Sequence, residues 1–122
     1  MEEIRKKYQI ENEAYSFAMM VIACCRYISK TEREFILTNQ LFKSGTSVGA
    51  NIREAQEGQS RKDFLSKMSI SLKEARESKY RICLLRDSGY FKTYPLREDL
   101  LKKSNEMIGV LTKIIKTTKL KL

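Results

Sequence analysis

Leu41 to Glu57, read Leu-Phe-Lys-Ser-Gly-Thr-Ser-Val-Gly-Ala-Asn-Ile-Arg-Glu-Ala-Gln-Glu, is the stretch that decides the fold. At about 100° per residue, Leu41, Gly45, Val48, Gly49, Ile52 and Ala55 share one arc. Gln40, Ser44, Ser47 and Asn51 lie on the arc beside it, and Lys43, Thr46, Arg53 and Glu57 take the far side. The segment reads as a helix with an apolar, a small-polar and a charged face. Each glycine inside a helix costs about 1 kcal/mol relative to alanine. Two of them on one apolar arc point to close approach of a neighbouring helix rather than to a kink at Ser44-Gly45. The packing motif is therefore Ser44, Gly45, Ser47, Gly49 and Asn51, with its small-polar arc expected to be half-buried and hydrogen-bonded.

Outward from this stretch, helical signals fill the chain. Thr31-x-x-Glu34 reads as a capping box that starts a helix over about 32–57, with Gly58 as its closing residue. Ser60-x-x-Asp63 reads as the next cap, for a helix over about 61–87. The short connection predicts that these two helices are antiparallel neighbours. In the third helix Leu65, Met68, Leu72, Ala75, Ile82 and Cys83 form the expected core arc, which Lys79 interrupts. Before the opening stretch, a helix over about 3–29 carries one stripe of Ile4, Tyr8, Tyr15, Ala18, Ile22, Cys25 and Ile28. Phe17, Met20, Cys24 and Tyr27 make a second stripe, so this helix is expected to have more than one packing neighbour. After the aromatic loop Tyr90–Tyr94, Pro95 fits the first turn of a helix over about 95–117. Leu96, Leu100, Met107, Leu111 and Ile114 form its stripe. With no strand alternation or repeat, the prediction is an all-α, antiparallel, up-down-up-down four-helix bundle forming one domain. The extra apolar faces predict a homo-oligomer.

Composition narrows function. The 122 residues contain no His, which removes the usual neutral-pH base and the Ser-His, Cys-His and Glu-x-x-His arrangements. Three cysteines, two adjacent and none in a Cys-x-x-Cys pair, read as buried thiols of a reducing cytosol, with no metal or cofactor. The start of the chain, Glu2-Glu3 followed by a basic, mixed segment, is not a secretory leader, and no apolar run reaches membrane length, so a cytoplasmic protein without a membrane partner is expected. The net charge of +9 favours an anionic partner.

Lys62, Ser66, Ser69, Lys73, Arg76 and Tyr80 share a narrow face of the third helix, and the tail adds Lys116, Lys119 and Lys121. A basic stripe ending in a tyrosine can hold a phosphate backbone with one stacked base, so Lys62, Lys73, Arg76, Tyr80 and the three tail lysines are the candidate RNA or DNA contacts. The leading expectation is a non-enzymatic module binding nucleic acid non-specifically. A scaffold for an acidic protein partner is the first alternative. A weaker one is a Mg²⁺-dependent nucleotide pyrophosphatase using Glu54, Glu57, Glu74 and Glu77, two Glu-x-x-Glu pairs on adjacent helices.

The run Ser44–Ala55 and the run Lys62–Tyr80 (Lys-Asp-Phe-Leu-Ser-Lys-Met-Ser-Ile-Ser-Leu-Lys-Glu-Ala-Arg-Glu-Ser-Lys-Tyr) resemble the bacterial four helix bundle proteins, also called 23S rRNA intervening-sequence proteins. The resemblance covers nearly the whole chain and departs from the family at Arg81-Ile82, where an aromatic is common. It implies a cytoplasmic, ring-like homo-oligomer, with a pentamer favoured. It extends distantly to the accessory variability determinant of diversity-generating retroelements, a basic pentamer that binds nucleic acid and a reverse transcriptase. It assigns no role to Ser44, Gly45, Asn51, Glu54, Glu74 or Tyr80.

Overall fold

The computed structural model describes residues 2–122, apart from the side chains of residues 3 and 4. Ile4, assigned by its spacing to the first stripe, thus lies outside the described side chains. Four helices make up the described chain: α1 (Glu2–Glu32), α2 (Ile36–Gln56), α3 (Arg61–Asp87) and α4 (Arg97–Leu120). No described residue forms a strand. α2 packs on α1 and α3, and α4 packs on α3 and more lightly on α1, which gives a four-helix bundle. None of the helices is long and apolar enough to cross a membrane.

The core stripe of α1 is Ile10, Ala14, Phe17, Val21, Cys24 and Ile28. That is a correction to the expected first stripe. Tyr8 and Tyr15 stand 57% and 70% exposed on the outer side of α1, with Met19 beside them. The core arc of α3 is also turned from its expected place. Met68, Ser71, Ala75, Ser78, Ile82 and Leu85 are buried, whereas Leu65, Leu72, Lys79 and Cys83 are half-buried at the edge. The reason is chemical: α3 offers α2 hydroxyl groups, and those groups find partners there. In α4 Leu96 stays outside and Ile115, rather than Ile114, completes the buried set.

The junctions differ from the expected caps in three places. Thr31 does not cap α2, because α1 continues through Glu32. Arg33 then takes a left-handed backbone, φ 55°, that turns the chain. The Glu34 carboxylate does the capping. One oxygen accepts from the backbone N–H of Ile36 (3.0 Å) and Leu37 (2.8 Å), the other from Thr38 (3.0 Å). A carboxylate has two oxygens and can satisfy several of the free donors that open a helix, which one hydroxyl cannot. Gly58 does not close α2 in the left-handed conformation, which among described glycines only Gly89 adopts, at φ 88°. α4 begins at Arg97, so Pro95 precedes the helix instead of forming its first turn. Ser60 does cap α3 as expected, its Oγ accepting from the Asp63 N–H at 3.1 Å.

The aromatic loop is tied to α1. Tyr27 donates to Thr93 at 2.9 Å, and its ring lies 5.1 Å from that of Tyr94, which meets Phe91 at 5.6 Å. Lys103 of α4 pairs with Glu13 of α1.

Candidate nucleic-acid interface

The small-residue motif of α2 works on two sides. Toward α1, a Cβ on Gly45 would stand 2.7 Å from both γ carbons of Val21, so α1 occupies the space a side chain would need. A Cβ on Gly49 would meet the Cβ of Ala14 at 3.4 Å, close but ordinary contact. Toward α3, Ser44 is buried, and its Oγ lies 2.9 Å from the Ser78 Oγ. Ser78 also reaches the Glu74 carbonyl at 2.8 Å, and Ser71 donates to the Val48 carbonyl at 2.8 Å. Ser47 and Asn51 are half-buried and satisfied within α2, by the carbonyls of Lys43 (2.6 Å) and Ser47 (2.9 Å). Gln40, placed on the same arc by the sequence, is exposed. The motif is thus a packing device, and its polar groups bond to α2 carbonyls and to Ser78 of α3.

The basic stripe of α3 is on the opposite side of that helix. The inner positions of α3 are taken by the buried set, so Lys62, Ser66, Ser69, Lys73 and Arg76 are exposed, and Tyr80 is 65% exposed. Among described residues Lys62, Lys73 and Arg76 make no ion pair. The eleven positions from Lys62 to Lys73 span about 16 Å of helix at ~1.5 Å per residue. The stripe is therefore two groups: Lys62 at the start of α3, and Lys73, Arg76 and Tyr80 on its flank. Lys116, Lys119 and Lys121 are exposed at the end of α4. The Arg61 guanidinium donates to the carbonyl of Lys121 and joins that end to the start of α3. Arg61 was absent from the sequence-derived set, because nothing in the spacing reports which helix ends meet.

The four carboxylates of the pyrophosphatase alternative are not gathered. Glu54 pairs with Lys67 at 3.0 Å, Glu57 with Arg53 at 4.0 Å and Glu77 with Arg81 at 3.6 Å. Glu74 sits where α3 passes Ser44 and Val48, about 10 Å along the helix from the Lys67 level of Glu54. Burial, and then Glu77 beside it, hold the Glu74 carboxyl above the ordinary 4.5. Among described residues no three Asp, Glu or Cys side chains converge as ligands for a metal.

The Cys24 and Cys25 thiols are both buried and free, and each is pushed up to about 12, chiefly by burial. The neighbouring Cys25 adds to the shift of Cys24, and Glu34 to that of Cys25. Thiols held protonated in this way are poor nucleophiles and poor ligands.

The comparisons with known proteins agree with the fold. A crystal structure of a protein with unknown function from the S23 ribosomal protein family of Bacteroides thetaiotaomicron is 37% identical, with a TM-score of 0.85. The alignment covers 91% of this chain and 98% of that one. No curated protein matches the chain. The family model described as 23S rRNA-intervening sequence protein matches residues 6–113. The chain therefore belongs to the 23S rRNA-intervening sequence protein family.

Proposed function

We propose that the protein is a non-enzymatic homo-oligomeric module that binds RNA or DNA through backbone phosphates. The observation that carries this reading is the exposed set of cations on α3 and the α4 tail that no carboxylate of the described chain neutralises. Unpaired surface cations at a net charge of +9 cost the folded chain self-repulsion, which a polyanion relieves. The up-down-up-down course belongs to the same reading. It is supported by Ser71 meeting Val48 while Ser78 meets Ser44, and by Ala14 meeting Gly49 while Val21 meets Gly45. Self-association, as a pentameric ring by family resemblance, is supported by the exposed Tyr8, Tyr15 and Met19 on α1 and by Phe35 and Phe42 at the edge of α2. The three free cysteines fit a reducing cytoplasm.

Titration of labelled RNA and DNA hairpins at two salt concentrations tests the binding. Affinity that falls steeply with salt supports it; absence of binding at low salt overturns it. Native mass with and without nuclease tests the assembly and reports bound polyanion in the same measurement. A nuclease-resistant, stoichiometric acidic protein in that preparation would instead favour the scaffold role.

A further inference from the structure

Cations from three separate segments of the chain meet at one end of the bundle. Arg61 holds the first turn of α3 against the last turn of α4 through the Lys121 carbonyl, so Lys62 and the tail lysines share that end. The contacts of Ala14 with Gly49 and of Val21 with Gly45 carry the start of α1 toward the end of α2. Only residues 57–60 separate the end of α2 from α3, so the exposed run Arg5-Lys6-Lys7 lies at the same end. Of the acids there, Glu57 pairs with Arg53 and Glu2 with Arg5, while Asp63 in the first turn of α3 makes no ion pair among the described residues. At the opposite end Arg81 pairs with Glu77 and Arg86 with Asp87 at 2.8 Å, while the exposed Arg26, Lys30, Arg33 and Lys92 make no ion pair among the described residues.

We infer that this end, built from Arg61, Lys62, Lys116, Lys119, Lys121 and the Arg5–Lys7 run, is the surface that grips the phosphate backbone of double-stranded nucleic acid. The inference rests on the nucleic-acid reading above and narrows it. Residues 59–63 and 113–122 contain no aromatic side chain, so an unpaired base has nothing to stack on in those segments. Tyr8, 57% exposed, directly follows the Arg5–Lys7 run and shares the outer stripe of α1 with Tyr15, so it is the ring nearest this surface. A duplex presents its charge at its surface, at about one phosphate per 1.7 Å of axis, and needs no ring to bind. The flank group of Lys73, Arg76 and Tyr80 lies about 16 Å or more from Lys62 along α3 and is a separate surface.

Fluorescence anisotropy with a labelled DNA duplex, an RNA hairpin and an unpaired oligonucleotide tests the placement. Three variants are compared with the parent protein: Lys116→Gln/Lys119→Gln/Lys121→Gln, Arg5→Gln/Lys6→Gln/Lys7→Gln, and Lys73→Gln/Arg76→Gln. The tail variant is expected to lose about tenfold in duplex affinity and to flatten the salt slope by up to about 0.9 per lost contact. The Arg5–Lys7 variant and the flank variant are each expected to lose a smaller factor, about threefold. All substituted side chains are exposed, and melting curves by circular dichroism confirm that each variant folds. A flank variant that weakens duplex binding as much as the tail variant overturns the placement while leaving nucleic-acid binding in force. A parent protein that binds none of the three probes overturns the functional reading itself. Because Leu120 and Leu122 are exposed among the tail lysines, anionic phosphatidylglycerol vesicles are included. Vesicle binding tighter than duplex binding, lost in the tail variant, assigns this end to a lipid surface and overturns the inference.

Discussion

The two sides of α2 hold their neighbours by opposite means. Against α1 the seam depends on what is missing: Gly45 leaves room for the γ carbons of Val21, and Gly49 faces Ala14. Against α3 the seam depends on what is present: Ser44, Ser71 and Ser78 bring hydroxyls to one another and to backbone carbonyls in a fully buried strip. The first seam gains dispersion contacts and cannot accept volume. The second gains about 0.5–1.5 kcal/mol per hydrogen bond and cannot accept the loss of one partner without leaving the other orphaned. One helix thus carries two kinds of tolerance, about 100° apart around its axis.

The largest expected effect that separates the seams is at Gly45. Gly45→Ala gains helix propensity but drives a Cβ into Val21, a buried, branched side chain with little rotamer freedom. A net loss of about 1–2 kcal/mol is expected in urea unfolding. Adding Val21→Ala should recover part of it, so that the double variant is more stable than the sum of the two singles. Additive losses would show that the seam is not set by this contact. Next comes Ser71→Ala, expected to cost about 1 kcal/mol through the lost bond to Val48. Gly49→Ala should be neutral or stabilising by up to about 1 kcal/mol, since its Cβ finds ordinary contact. A loss at Gly49 equal to that at Gly45 would erase the distinction drawn between them.

The smallest effect at neutral pH concerns the thiols on the α1 side, where the Cys25 Sγ lies 3.3 Å from the Thr38 carbonyl. Cys24 and Cys25 are held up to about 12 against an ordinary 9.0, so folding keeps their protons on. Tyr94 is likewise pushed up to about 12 from 10.0, first by burial and then by the nearby thiols. The contribution of these groups is fully present below about pH 9. It is lost between pH 9 and 12, because there the unfolded chain releases protons that the folded chain retains. Urea midpoints measured from pH 8 to 11 should fall only above about pH 9. In the native protein at pH 8, iodoacetamide is expected to leave Cys24 and Cys25 unmodified.

The helices themselves were legible in the sequence, because apolar spacing and the Ser60 cap are local signals. The glycine arc was legible too, as a demand for close packing. Which glycine is indispensable was not, since that depends on the side chain of α1 that arrives opposite. The buried Ser71 and Ser78 were passed over because a hydrophobic pattern scores serine as surface. Their burial becomes intelligible only when the facing Val48 carbonyl and Ser44 hydroxyl are in place. Thr31-x-x-Glu34 had the letters of a capping box, but α1 absorbed the threonine and left the glutamate to cap alone. For the interface, the exposed stripe followed from helical period. The gathering of Arg61, Lys62 and the tail at one end did not, because it is a product of register between helices.

The clasp of Tyr27 on Thr93 and the pairing of Glu13 with Lys103 join positions 66 and 90 residues apart in the chain. The second crosses the lightest of the four helix contacts, α1 with α4, and the first ties α1 to the loop that leads into α4. Joining such distant points costs loop entropy that neighbouring helices do not incur, so this edge is expected to zip last in folding and to part first when the molecule breathes. Amide exchange along α4 should then be fastest in the residues that face α1. Limited proteolysis should release the last helix while the first three still hold together.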